Sequence, residues 1–524
     1  MEINNRKLRK LIKHPVLYFR DSKLNPWKKV EAIKPNHDLK VVNRNCSKYI
    51  LPVIHNFGFD FLIEKISEYK TPIVYIEPVD STLKPSVCVL KENQRQLYAD
   101  ILSMAANEGF LLAYKIDGKV KPFSSSVDLW KDVSSKNVVD IRISTNRILS
   151  NIPVSLWFKV QICEEADDYF LFPSANYISR KLWKHTVKGT SIFKNGVFNY
   201  KNILSGVHES ECDFEVDLVF TWVNSDDPDW KEMYRQYRPE SITDASSESR
   251  YKSRDELKYA LRSWAKYGSF IRNIYVVSNC KPPSWLDLNK NVKWIYHEEI
   301  MPSDCLPTFS SHAIEACLHR ISGLSNYFIY SNDDFLLLRP TTKLDFFYPN
   351  GIAKIRLEQW GNVNGVATDG EPDYLNGARN SAALLYKTFN KVPTQLHTHS
   401  PQSMRVDLLQ EINELYKEDV LRTVFNKFRK FDDVAVTGFL YHHYAIMSGH
   451  ALESNTPTML IQQNHNFKAR FIELQKLNQT NKFTDLPLSV CINDGANSHL
   501  NDEWNSSVQI FLDSIFHEKS IYEV

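Results

Sequence analysis

From residue 213 onward the chain alternates short apolar runs with longer amphipathic ones. DLVFTWVN (217–224), IRNIYVVSN (271–279), VKWIYHEEI (292–300) and YFIYSNDDFLLL (327–338) are rich in β-branched and aromatic residues and predict strands. Between them, SRDELKYALRSWAKYG (253–268) and SSHAIEACLHRIS (310–322) carry apolar residues at helical spacing, the first stopped by Gly268. Strands with so little polar alternation are buried on both faces, so this order predicts an α/β domain built on a mainly parallel sheet. In such sheets ligands bind beyond the carboxyl ends of the strands. Upstream, β-like runs such as TPIVYIEPV and SLWFKVQI mix with a helical stretch, NQRQLYADILSMAANEG. The predicted organisation is therefore a basic opening segment (1–30), an α+β accessory domain (31–210) and an α/β domain (211–524).

The opening segment packs Arg6, Lys7, Arg9, Lys10, Lys13, Arg20 and Lys23 around Leu8, Leu11, Ile12, Val16, Leu17 and Phe19. This pattern suits an anionic membrane surface, and it equally suits a solvated helix packed on its own domain. A chain of 524 residues exceeds one compact core, and 43% apolar with 24% charged residues excludes disorder. The net charge of only +2 supplies no basic excess, so no nucleic-acid partner is expected. The 8 cysteines form no C-x-x-C pair, and no apolar run is long enough to span a bilayer or serve as a secretory signal. The expected location is the cytoplasm.

Chemistry concentrates in five stretches. In NYFIYSNDDFLLLRP (326–340) a buried strand is interrupted by Asn332, Asp333 and Asp334. Adjacent carboxylates at a strand end suit Mg²⁺ or Mn²⁺, and adjacent Asp residues also serve as turn formers and caps. TWVNSDDPDW offers Trp222 and Asn224 to a nucleotide, or a core indole and a plain turn. QLHTHSPQSMR (395–405) brings His397, His399 and Arg405 together, and an imidazole is the natural acceptor for a hydroxyl proton. FNKFRKFDD (425–433) supplies Lys427, Arg429 and Lys430, either for phosphate oxygens or as a solvated basic face. CINDGANSHLND (491–502) supplies Asn493, Asp494 and His499 in a loop, and Asn-Asp-Gly is also a routine turn.

Taken in order, these segments resemble the Stealth family. The matching text is DLVFTWVNSDD (217–227), DELKYALRSWAKYGSFIRNIYVVSN (255–279), PPSWLDL (282–288), LPTFSSHAIEACLHRISGLSNYFIYSNDDFLL (306–337), HSPQSMR (399–405), FNKFRKFDDVAV (425–436) and CINDG (491–495). It runs from about Asp217 to the C-terminus and leaves residues 1–210 outside. Members transfer a sugar together with its phosphate. They include the animal GlcNAc-1-phosphotransferase that tags lysosomal enzymes and bacterial polymerases of phosphodiester-linked capsules.

The resemblance implies a GT-A or Rossmann-like catalytic domain, a UDP-linked N-acetylhexosamine donor, a capsular glycan acceptor, Mg²⁺ or Mn²⁺, and work at the inner face of a bacterial inner membrane. The acceptor hydroxyl would attack the phosphorus next to the sugar, with UMP leaving. Carried onto this chain, the catalytic residues are His399, Arg429, Asp255 and Glu256. Those at substrate are Trp222, Asn224, Arg379, Asn380, Arg405 and His499, and those at metal are Asp333, Asp334, Asn493 and Asp494. Two departures stand out: N-S-D follows Val223 where members often have N-G-S-D, and Arg254 stands where members often carry an amide. The alternatives are a conventional glycosyltransferase releasing UDP, and a glycan-binding protein with a decayed site. Decay would remove the acidic pair or the histidine, and both are present.

Overall fold

The computed structural model describes residues 61–77, 84–144, 155–188, 196–238, 253–464, 466–479, 486–494 and 498–524, together with Phe59, Phe193 and Tyr251. The basic segment expected over 1–30 lies outside the described residues, as does the opening of the accessory half.

The accessory half is a mixed sheet of β1 (Ile73–Ile76), β2 (Ser86–Leu90), β3 (Leu111–Ile116), β4 (Lys119–Pro122), β5 (Val138–Ser144), β6 (Ser155–Glu165), β7 (Tyr169–Leu171), β8 (Lys181–Trp183) and β9 (Val197–Asn199). The main path runs β4-β3-β5-β6-β2-β1-β9, and β7 pairs with both β6 and β8. Helix Gln94–Glu108 sets Leu97, Ile101 and Met104 into a core shared with Val87, Ile141 and Phe158. The helix stops at Gly109, whose φ of 72° is the left-handed conformation a glycine adopts without strain. The buried apolar clusters of this half share no residue with the cluster running from Val216 to Phe516.

The second half is built on β10 (Val216–Thr221), β11 (Ile271–Val277), β12 (Val292–Ile295) and β13 (Tyr327–Asn332), all parallel in the order β12-β11-β10-β13. A short strand, β14 (Phe335–Leu337), follows β13 after two residues. Two ribbons pair β15 (Ala353–Ile355) with β19 (Ala451–Glu453) and β16 (Leu357–Gly361) with β17 (Gln395–His397). The edge of the central sheet is β18 (Gln402–Arg405), antiparallel to β13. A small sheet orders β14, β21 (Ser489–Asn493) and β20 (Met459–Gln462). The α/β class with a mainly parallel sheet is therefore the observed one.

Three expected elements are shorter than their apolar runs. The strand from 292 ends at Ile295 because Glu299 turns back to accept the Tyr296 N–H (2.7 Å), opening a one-turn helix at His297–Ile300. The helix over 310–322 is α-helical only at Ser311–Glu315, and then tightens to three-residue hydrogen bonds such as Cys317 N–H to Ile314 C=O (3.0 Å). The expected strand 327–338 is two strands in two different sheets, with Asp333 and Asp334 as the turn between them.

At the opposite end of the central sheet lies a fully buried carboxylate that the strand pattern alone conceals. Asp217 accepts from Arg272 through Nε (2.9 Å) and Nη2 (2.6 Å), and from the backbone N–H groups of Asn273 (3.1 Å) and Ser325 (2.7 Å). One side chain thus ties β10 to β11 and to the loop entering β13. Replacing Asp217 with Ala leaves two half-buried N–H groups without their acceptor and strips Arg272 of its paired carboxylate, leaving it only Glu215 (2.6 Å) and the Gly323 carbonyl (2.9 Å), which is expected to cost on the order of 3 kcal/mol in chemical denaturation. A loss below the ordinary surface range of about 0.5 kcal/mol would refute this role.

Candidate functional site

A cavity of about 770 Å³ opens at the carboxyl ends of β10 and β13. Thr221 and Trp222 reach it from the end of β10, Asn332 to Asp334 from the end of β13, Glu256 from the first turn of helix Glu256–Tyr267, and Asn493 with Asp494 from the end of β21. The lining also includes His397 from β17, His399 just past it, Glu358 from β16, and Arg429. Residues far apart in sequence therefore meet because two sheets and a ribbon end at the same place.

Glu256, Asp333, Asp334 and Asp494 gather at one end. Burial pushes Asp333 well above the usual carboxylate range, with repulsion from Glu256 and Asp334 adding to it. Burial likewise pushes Asp334 up to about 7, against the thiol of Cys491, which donates to its Oδ2 (3.2 Å). Glu256 is also raised, chiefly by burial. Among the described residues, the one cation bonded into this cluster is Arg254: its Nη1 donates to Glu256 (3.2 Å) and to Asp494, and its Nε to Asn505 (2.9 Å). Burial would lower the guanidinium, but Asp494 and Glu256 outweigh it and leave Arg254 raised. Asp494 is fixed from its other oxygen by the Trp504 indole N–H (2.8 Å).

A hard divalent ion fits this donor set. Mg²⁺ takes oxygen ligands and needs only one or two protein carboxylates. Asp334 Oδ1 is buried without a hydrogen-bond partner, and an oxygen left this way needs a cation or a water. Among the described residues no three His, Cys, Asp or Glu side chains already converge into a coordination shell.

Elsewhere in the lining, burial lowers His399 below the ordinary histidine value, which favours the neutral imidazole. Its Nδ1 stands 4.0 Å from Glu358 Oε1, too far for a hydrogen bond. Behind it His397 stacks at 6.1 Å, and His442 at 5.0 Å from His397. Arg429 is aimed by Ser311, whose hydroxyl accepts from Nε (3.1 Å) and Nη2.

The other expected residues lie elsewhere. Asn224 organises the turn after β10, its Oδ1 accepting the Asp226 N–H (2.9 Å). Asp255 is exposed, takes a positive φ of 63° and accepts from the Trp285 indole (3.4 Å). Arg379 is spent on the carbonyl of Asn364 (2.7 Å) and on Asn376 (3.2 Å). Asn380 donates to the carbonyls of Phe431 (2.9 Å) and Asp433 (2.8 Å), and so steadies the segment just past Arg429. Arg405 pairs with Tyr327 at the amino end of β13, roughly 20 Å from Asp333 at about 3.3 Å per residue, and its guanidinium binds Asp407. The side chain of His499 lies outside the described residues.

The sequence reading passed over Glu358, Glu315 and the pair His312–Asp433. Glu315 is buried and accepts from Tyr330 (3.2 Å) and Thr437. His312 Nδ1 faces Asp433 at 3.4 Å, and Asp433 is held by Asn426 (2.7 Å) and the Lys430 N–H (3.0 Å). His312 and Glu315 are polar residues at positions of SSHAIEAC that the helical period assigns to the buried face, but a single polar letter there does not show what it faces.

Three models of Stealth protein conserved regions match the chain: region 1 at residues 214–242, region 2 at 250–355 and region 3 at 398–447. The capsular polysaccharide phosphotransferase SacB of Neisseria meningitidis serogroup A is 50% identical over 541 aligned residues, covering 99% of this chain and 99% of that one. The chain belongs to the Stealth family. LcbA of Aeromonas hydrophila, also named a capsular polysaccharide phosphotransferase, is 33% identical over 56% of this chain and 82% of its own. Among solved structures, the galactosyltransferase LgtC in complex with donor and acceptor sugar analogues aligns with a TM-score of 0.30 at 10% identity, over 57% of this chain and 96% of that one.

The three family regions bring Trp222, then Glu256, Asp333 and Asp334, then His399 and Arg429 to the cavity, and Asn493 with Asp494 follow beyond them. The likeness to SacB also spans the accessory half, which the residue-by-residue resemblance left outside.

The stacked histidines give a test by pH. Burial takes His397 down to about 3 and His442 well below the ordinary value. Such a group stays neutral when folded and takes a proton near 6.5 when unfolded, so its contribution to stability is present above about 6.5 and lost as pH falls. Buried carboxyls with raised values act in the opposite sense, so the variant difference is the clean measure. His442→Leu is expected to gain about 2 kcal/mol on the wild type between pH 7.5 and pH 5 in chemical unfolding. A difference independent of pH would show that the imidazole takes its proton in the fold as readily as in the unfolded chain, and so is not held neutral by burial.

Proposed function

We propose that this protein transfers a sugar-1-phosphate, an N-acetylhexosamine-1-phosphate, from a UDP-sugar to a hydroxyl of a growing capsular glycan, forming a phosphodiester and releasing UMP. The reading is carried by one observation: an acidic cluster, a fixed guanidinium and a neutral imidazole face one cavity. The full-length likeness to a capsular polysaccharide phosphotransferase supports it.

In this reaction the acceptor oxygen bonds to the phosphorus next to the sugar, the bond from that phosphorus to the bridging oxygen breaks, and UMP departs with the electron pair. His399 receives the hydroxyl proton, its lowered value leaving it ready as a base at neutral pH. Arg429, held by Ser311, faces the phosphoryl oxygens, where charge spreads in the transition state. Trp222, whose buried indole N–H lacks a hydrogen-bond partner, meets the nucleotide. Asp333, Asp334, Asn493 and Asp494 would hold Mg²⁺ or Mn²⁺, which supplies positive charge against the diphosphate. Arg254 keeps Glu256 and Asp494 in place and lowers the cost of gathering the acids. The site of action is the cytoplasm, with the basic opening segment on the inner face of the bacterial inner membrane. Among the described residues no helix is long and apolar enough to cross a membrane.

Incubation with UDP-GlcNAc, Mg²⁺ and a capsule oligosaccharide is expected to release UMP. UDP as the only nucleotide product would reject this reading in favour of conventional glycosyl transfer. Chelation is expected to stop turnover and added Mg²⁺ or Mn²⁺ to restore it; turnover that persists in chelator would remove the metal from the scheme. His399→Ala is expected to lose on the order of 10²–10⁴-fold in turnover, and Asp334→Asn to be inactive, both with the wild-type circular dichroism spectrum. Full activity in either variant would strip that residue of its role.

A further inference from the structure

Beside the proposed base, the ribbon β16–β17 departs from regular pairing. Leu357 opposes His397 and Gly361 opposes Gln395, so β16 carries two residues more than its partner over this stretch and bulges. Bulges beside active sites re-aim side chains. Here the bulge brings Asn362 Nδ2 to within 3.4 Å of Glu358 Oε2, and both residues line the cavity. Between them stands Trp360, 72% exposed and, among the described residues, without a ring contact or hydrogen bond. Tyr374, in the first turn of helix Asp373–Phe389, also lines the cavity and is 54% exposed.

Single exposed apolar side chains are ordinary on protein surfaces. Two large exposed aromatics, Tyr374 in the cavity wall and Trp360 on the short stretch of chain between the cavity-lining Glu358 and Asn362, are a different matter, because each leaves a broad ring in water close to a site that must seat a substrate. A sugar ring has an apolar C–H face and a rim of hydroxyls. An indole flanked by a carboxylate and a carboxamide matches both parts of it.

Position decides which substrate this is. The acids lie at the strand ends, whereas Glu358 is 4.0 Å from the Nδ1 of His399. The imidazole that takes the hydroxyl proton has to touch the acceptor, and Trp360 follows Glu358 by two residues, no more than about 7 Å along the backbone. We propose that Trp360, with Tyr374, forms an aromatic platform for the acceptor glycan, seating a sugar ring one or two units from the hydroxyl that reacts. This rests on reading the cavity as a transferase site.

Trp360→Ala and Trp360→Phe test it in two ways. In turnover with UDP-GlcNAc, Trp360→Ala is expected to raise the acceptor KM by about 3-fold to 10-fold for oligosaccharides of several units, without moving the donor KM, and Trp360→Phe to restore most of the loss. In saturation-transfer NMR of the full chain with capsule oligosaccharide and no donor, transfer to the glycan is expected to fall in Trp360→Ala and return in Trp360→Phe. An unchanged acceptor KM with unchanged transfer would overturn the platform. So would a shift in sedimentation coefficient without either change, which would make the indole a contact between two copies of the chain. A wild type that binds glycan through Trp360 yet releases no UMP would instead defeat the proposed reaction and leave the platform standing.

Discussion

The arrangement depends on a repulsion. Glu256, Asp333, Asp334 and Asp494 are collected where burial strengthens every like-charge contact, and burial is the first cause of the raised values of Asp333, Asp334 and Glu256. A fold keeps such a cluster only if its surroundings are rigid enough to hold it. Rigidity comes from Arg254 between two of the acids, from the Trp504 indole on Asp494, and from the backbone of Ile492, whose N–H binds the Asp334 carbonyl at 3.1 Å. Most of these anchors belong to residues beyond 490, so the C-terminal stretch is as much a part of the site as the central sheet.

Arg254 shows how a departure from a family pattern acquires meaning only in three dimensions. In sequence it looks like a cation displacing an amide beside Asp255 and Glu256. In the fold it bonds Glu256 and reaches Asp494, 240 residues further along the chain. The two neighbouring acids part company: Glu256 lines the cavity, and Asp255 faces Trp285 from a left-handed backbone position.

Much of the central sheet was legible because β10, β11 and β13 are nearly continuous apolar runs, which few structures other than buried parallel strands require. Its edge was not: Gln402–Arg405 has a single apolar side chain, Met404, and so reads as loop. The place of Arg405 was hidden for the same reason, since it follows the histidine motif in sequence yet pairs with the amino end of β13. Trp222, Asp333, Asp334, His399 and Arg429, which line the cavity, stand out in the sequence because polar chemistry interrupts or follows apolar text. Glu315, Glu358 and His312 were not, because each is one polar letter within an element and only tertiary packing shows which way it faces.

The short turn at Asp333 and Asp334 has a further consequence for the molecule. The chain leaves the central sheet before these residues and enters the small sheet after them, so the two aspartates are the stitch along a seam between two sheets that share one apolar core. The spacing of the acids is therefore set by how the layers register against each other rather than by either layer alone. A fragment ending short of β21 would keep the aspartates but lose the second edge of the seam, so competence at this site arrives only with the last folded portion of the chain.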